Sequence, residues 1–244
     1  MWLPRWAGEI YSRLYYHFGL NIFKFKDALE ALGIRDNKLN MAFTYLRRAG
    51  ALTIFDRGRP RMYRLMNPPN FIMLSSGYVE LIRIRQERYL NVIYDFFRIV
   101  RNGYSLRAYA IYGSVARGTA REDSDIDVLL ISDEFKGSIS SRLDELYEYI
   151  QAVRDEISWL HEHNIYVTLS IYPLTSGEAK KVPILFLDII HEARIVYDDG
   201  FLRRLIDIIK GKLSMIGAER IELSDGRWYW DLKPGFKGLE VNEL

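Results

Sequence analysis

Three short amphipathic blocks open the chain. Residues 7–18, 24–32 and 37–49 each read as a helix, and the last two stop at Gly33 and Gly50, where glycine supplies the left-handed turn that closes a helix. In the third block Leu39, Ala42, Phe43 and Leu46 recur at i, i+3, i+4 and i+7, so they should face a core. Asn37, Lys38, Asn40, Met41, Thr44, Arg47 and Arg48 are then left outward. Residues 52–55 and 61–65 flank Asp56-Arg57-Gly58-Arg59-Pro60 and predict a β-hairpin with a basic tip. Residues 66–70 read as a polar, proline-rich link. Residues 78–102, with Leu81, Ile84, Tyr89, Val92 and Phe96 among their apolar positions, read as one long helix that joins two modules and offers a face for dimerisation.

Beyond it the pattern changes to strands. Residues 108–112 are an apolar run ending in a glycine turn, and 126–131 are a second run that opens on alternating carboxylates. Residues 138–163 read as a long amphipathic helix, 165–172 as a third strand, 184–191 as helix, 193–197 as extended and 201–216 as helix. Residues 220–223 and 228–231, joined by Ser224-Asp225-Gly226-Arg227, predict a terminal hairpin. The fold class expected is α/β in its α+β form. Residues 1–70 form a first domain, 78–102 a connecting helix, and 103–244 a domain built on a small mixed sheet.

Charge sharpens the division. The net charge of +2 over 244 residues conceals +7 up to Gly77 and −5 beyond it, an asymmetry that points to a nucleic-acid-binding module at the N-terminus. The chain has no cysteine, which excludes disulfide and thiolate-zinc frameworks, and no apolar run of the roughly 20 residues a membrane span requires. With no secretory pattern at its start, a cytoplasmic location is expected. Scarce glutamine, absent cysteine and abundant Arg and Tyr hint at a thermophilic source.

Three helices and a basic hairpin resemble a winged helix-turn-helix domain over about residues 7–66. The resemblance implies a third helix in the major groove of DNA, with Lys38, Asn40, Thr44 and Arg47 reading bases or phosphates and Arg57, Arg59 and Arg61 on phosphate. The other reading of the same fold is protein contact or dimerisation, with solvated arginines.

The densest chemistry lies in residues 111–131. Gly113 ends an apolar strand and lets a phosphate approach the backbone with no Cβ in the way. Ser114 offers a hydroxyl and an amide at the start of a helix, where an anion is favoured. Asp125 and Asp127 alternate on the next strand, so their side chains leave one face while Ile126 and Val128 point into the core. Two hard carboxylates on one face suit Mg²⁺.

Gly113-Ser114, ten intervening positions, then Asp125-Ile126-Asp127 running into Val128-Leu129-Leu130-Ile131 resembles the signature of the polymerase-beta-like nucleotidyltransferase superfamily, closest to its minimal prokaryotic branch. The resemblance implies Mg²⁺-dependent transfer of a nucleoside monophosphate from a nucleoside triphosphate to a hydroxyl. Gly113 and Ser114 would hold the triphosphate, and Asp125 and Asp127 the metal. Gly118 belongs to the same nucleotide-binding turn. Arg117 and Arg121 are either cations near the phosphates or a solvated helix face. Minimal relatives occur in toxin–antitoxin pairs and modify a partner protein's hydroxyl, so a protein acceptor is an expectation here.

One departure matters. Active members usually carry a third carboxylate on a later strand, and residues 165–172 contain no Asp or Glu; Thr168 and Ser170 alternate at that place. Either Glu122 or Asp123 substitutes, or a substrate group supplies the base, or catalysis is weakened or lost. The last case is a second function: a nucleotide-sensing, antitoxin-like DNA-binding regulator. A third, RNA-end modification, rests on charge alone. Among lesser signals, His161 and His163 lie two apart on a helix and share no face, and Trp228 to Trp230 read as a packed C-terminal cap or a base-stacking surface.

Overall fold

The structure, a computed structural model, describes residues 2–223 and 228–232. Helix α1 (Arg5–Phe18), strand β1 (Phe23–Lys24), helices α2 (Phe25–Leu32) and α3 (Asp36–Ala49), and strands β2 (Leu52–Asp56) and β3 (Met62–Leu65) surround the first part of the core. The strands pair antiparallel in the order β1-β3-β2. Leu39, Ala42, Phe43 and Leu46 of α3 are buried, as their spacing requires, while Lys38, Asn40, Thr44 and Arg48 are exposed. Phe43 packs edge-on against Tyr63 of β3, ring centroids 4.9 Å apart, which seats α3 on the sheet.

Residues 66–70 are not a bare link. Pro68 and Pro69 start helix α4 (Pro68–Ser75), where the fixed proline φ suits a first turn. Asn67 ties that turn down, its N–H donating to Asn91 Oδ1 at 2.8 Å and its side-chain amide to Asp95 Oδ1 at 3.0 Å.

The long helix expected over 78–102 does not form. Residues 77–86 make a non-helical strap, Glu87–Tyr89 a 3-10 turn, and only then does α5 (Leu90–Gly103) begin. The strap finds backbone partners elsewhere. Glu80 N–H donates to Val196 O at 2.8 Å and Ile82 N–H to the Tyr94 hydroxyl at 2.9 Å, which donates in turn to Glu80 O at 2.8 Å. The eight residues Leu90 to Phe97 of α5 are all buried. The apolar stripe that suggested a dimer face is therefore covered within the chain.

The second half contains β4 (Ala108–Tyr112), α6 (Gly113–Arg117), β5 (Ile126–Ile131), α7 (Ile139–Gln151), α8 (Arg154–Glu162), β6 (Leu169–Leu174), α9 (Ser176–Ala179), α10 (Phe186–Glu192), β7 (Arg194–Asp198), α11 (Phe201–Met215), β8 (Glu219–Glu222) and β9 (Trp228–Asp231). Strands β6-β5-β4-β7 form a mixed sheet in which β5 and β6 run parallel and the other pairs antiparallel. One face carries Tyr109, Ile111, Ile126, Val128 and Leu130 into the core shared with α5, α7 and α8. The other carries Ala108, Ala110, Leu129 and Ile131 beneath α10 and α11.

Two boundaries differ from the pattern. The helix expected over 138–163 is two helices, α7 and α8, because the chain turns at Ala152 and Val153 to bury Val153 between Leu146 and Leu160. The third strand starts at Leu169, since Tyr166 N–H is already spent on Glu122 O at 2.7 Å. β8 and β9 pair antiparallel as the terminal hairpin; its turn, residues 224–227, lies outside the described residues.

The halves are locked by Arg64 of β3. It is 2% exposed, donates to Leu20 O at 2.7 Å and to both oxygens of Glu156 on α8, and lies 3.5 Å over the Trp159 ring. No described helix is long and apolar enough to cross a membrane.

Candidate active site

The sheet face beneath α10 ends in polar chemistry. Asp127 follows the parity of Leu129 and Ile131, whereas Ile126 and Val128 are fully buried on the opposite face. Strand register sets Tyr112 of β4 on one side of Asp127 and Ser170 of β6 on the other. Thr168 Oγ1 donates to Asp125 Oδ1 at 2.5 Å, and the Ser170 hydroxyl bonds Asp127. Burial and then the Asp125 charge push the Asp127 carboxyl above its ordinary range, against the Ser170 bond and the nearby Arg117.

Gly113 is required here twice over. Its φ is +71°, and a Cβ on it would lie 2.0 Å from Asp127 Oδ2. The turn is also held from behind. Gly113 N–H donates to Glu192 Oε1 at 2.9 Å, and Arg117 Nη1 donates to Oε1 and Oε2 of the same carboxylate at 2.9 and 2.7 Å. Glu192 closes α10 and is 8% exposed. No motif marks it, since it lies 79 positions from Gly113 and reads as an ordinary helix end.

A nucleotidyltransferase domain model matches residues 93–185, from α5 through β6 to the start of α10. A Methanocaldococcus jannaschii protein named "Putative protein adenylyltransferase MJ1379" is 36% identical over 78 residues, 30% of this chain and 78% of that protein. The chain belongs to the nucleotidyltransferase family. Among solved structures, a toxin–antitoxin with AMP-PNP aligns over 50% of this chain and 90% of its own at 13% identity and a TM-score of 0.34. Two mutants of an MntA-HpeT toxin–antitoxin align over 50% of this chain and 88% of theirs, at 10% and 14% identity with TM-scores of 0.32 and 0.31.

In this nucleotidyltransferase the remaining motif residues divide. Ser114 follows Gly113 in the first turn of α6, half-buried. Gly118 is buried at the end of α6 with φ +80°; a Cβ there would sit 2.7 Å from Arg85 Cβ, so close packing against the strap demands glycine. Its carbonyl and that of Ala120 accept from Gln86 Nε2 at 3.0 and 3.1 Å. Arg121 pairs with Asp123 at 3.4 Å on the exposed surface. Glu122 and Asp123, the sequence candidates for a third carboxylate, are exposed, and among the described residues no three His, Cys, Asp or Glu side chains gather to hold a metal. The oxygens of Asp125, Asp127, Thr168 and Ser170 are hard donors, and glycine at 113 lets the Asp127 carboxylate lie directly against the turn. That set fits a magnesium-sized ion bound through two carboxylates.

The basic positions of the first half divide as well. A cavity of about 380 Å³ is lined by Asn40, Thr44, Arg47, Arg48, Arg61 and Arg83 among others. Lys38, Arg57 and Arg59 are exposed outside its lining. Arg47 and Arg57 meet on Glu87 Oε1 at 3.0 and 2.9 Å, and Ile54 N–H donates to the other oxygen at 2.8 Å. His161 and His163 bond backbone carbonyls of Val167 and Trp159, at 3.0 and 2.7 Å.

Proposed function

We propose that the chain transfers a nucleoside monophosphate from a nucleoside triphosphate to a hydroxyl on a partner protein, using Mg²⁺, and that residues 1–70 are a winged helix-turn-helix domain that binds DNA. The observation that carries the first part is the joining of the Gly113 turn to Asp127, two elements of one cradle, in a chain of this family. Asp125 and Asp127 would hold the ion, which supplies charge neutralisation at the triphosphate and at the leaving pyrophosphate. Ser114 and Arg117 would bind phosphate oxygens. The acceptor oxygen attacks the α-phosphorus as its proton passes to a phosphate oxygen of the substrate, the α–β phosphoanhydride bond breaks, and pyrophosphate departs with that proton. The relative named for protein adenylylation supports ATP as donor and a protein as acceptor.

The antiparallel β1-β3-β2 sheet behind α3 and the arginine-lined cavity support the DNA-binding part. Binding to duplex DNA and to structured RNA, each followed against salt, tests it, and a steeper, tighter DNA response is expected.

Thr168 and Ser170 favour a second reading, a nucleotide-sensing regulator without turnover, because neither hydroxyl accepts the acceptor's proton near neutral pH. The deciding experiment incubates the chain and a cell extract with each α-labelled nucleoside triphosphate and Mg²⁺, beside an Asp125→Ala/Asp127→Ala control. Label transferred to protein and lost in the control supports the enzyme. Nucleotide binding without transfer or pyrophosphate release supports the regulator.

A further inference from the structure

Glu192 touches both the backbone of the Gly-Ser turn and its arginine. Both of its oxygens are occupied, and it is almost wholly buried while Arg117 is 39% exposed along its side chain. The Gly113 amide is thereby spent. Arg117 has given only Nη1 to Glu192, so Nη2 and Nε of its planar fork remain for an anion on the solvent side.

We infer that Glu192 is a positioning residue for the triphosphate: it fixes the Gly113 turn through its amide and holds Arg117 by one nitrogen, with the free edge of the guanidinium left for the phosphates. The inference rests on the nucleotidyl-transfer reading and names a residue beyond its motif. Glutamine at position 192 has one acceptor oxygen and no charge. Arg117 then loses its charged anchor, and nucleotide binding weakens.

The test is calorimetric binding of ATP across a Mg²⁺ series by the full chain, Glu192→Gln, Arg117→Ala and the double variant, with thermal unfolding of each alongside. Glu192→Gln should bind about tenfold more weakly at every Mg²⁺ concentration, the equivalent of one charge-assisted hydrogen bond. If Glu192 acts through Arg117, the double variant should be no weaker than Arg117→Ala. Wild-type affinity in Glu192→Gln, or losses that add, would overturn the inference. If Glu192→Gln does not fold, Arg117→Lys serves, because a compact ammonium lacks the planar fork that gives one nitrogen to Glu192 and its other edge to a phosphate. It should bind several-fold more weakly, and unchanged binding would overturn the inference as well. A wild-type chain that binds no ATP with Mg²⁺ removes the nucleotidyl-transfer reading itself, a different failure.

Discussion

Asp127 is surrounded by influences that oppose its charge, burial first and Asp125 second, and it stands over a glycine. Gly113→Ala therefore tests the closeness of that approach. The new Cβ meets Asp127 Oδ2 and must adopt φ near +71°, so stability should fall by roughly 1–3 kcal/mol and nucleotide binding with it. A variant with wild-type melting and binding would show that the cradle is looser than drawn. Glu178 is the opposite case. Arg142 holds its carboxyl down to about 2 from an ordinary 4.5, with Thr175 assisting. A depressed folded value means that this stabilisation is full above about 4.5 and is lost as pH falls towards about 2. Glu178→Gln should thus be less stable than wild type at neutral pH, and the gap should close through that window in acid unfolding; a gap that ignores pH would refute the pairing. At this scale the sequence was informative where a period of two sufficed, as for Asp125 and Asp127. Glu192 was not legible, because its partners lie far off in the chain and only the fold brings them together.

At the scale of elements, spacing identified the three N-terminal helices, the hairpin and the first two strands of the sheet, because each has one wet and one dry side. It failed where an element is dry all round or borrows its partners. The apolar positions of 78–89 record packing against several neighbours rather than one helical face, and the strap's polar backbone is satisfied by Tyr94 and Val196. Tyr94→Phe would leave Ile82 N–H and Glu80 O without that hydroxyl, a cost of about 1–3 kcal/mol. Amide exchange at Ile82 should accelerate ahead of global unfolding. Unchanged protection there would mean that the strap is held by its apolar contacts alone. The break between α7 and α8 is likewise invisible to periodicity, since Leu146, Val153 and Leu160 continue one apolar series through a turn.

Across the whole molecule the basic N-terminal half and the acidic half are built into one another. Arg64 reaches Glu156 and Trp159, and Glu87 gathers Arg47 and Arg57 while its neighbour Gln86 holds the loop after the Gly-Ser turn. The charge split suggested two modules; it contained nothing about Glu87, which pairs with two arginines of the face expected to meet DNA. The connection also means that the nucleotide site is tested properly only in the full chain. Gly113, Ser114, Asp125 and Asp127 are proposed to form a live metal-dependent nucleotide site. Calorimetric titration of the full chain with each nucleoside triphosphate, with and without Mg²⁺ and beside Asp125→Ala/Asp127→Ala, addresses it directly. Binding that requires Mg²⁺ and disappears in the double variant is the predicted result. No binding at millimolar nucleotide, or binding indifferent to the aspartates, would contradict it.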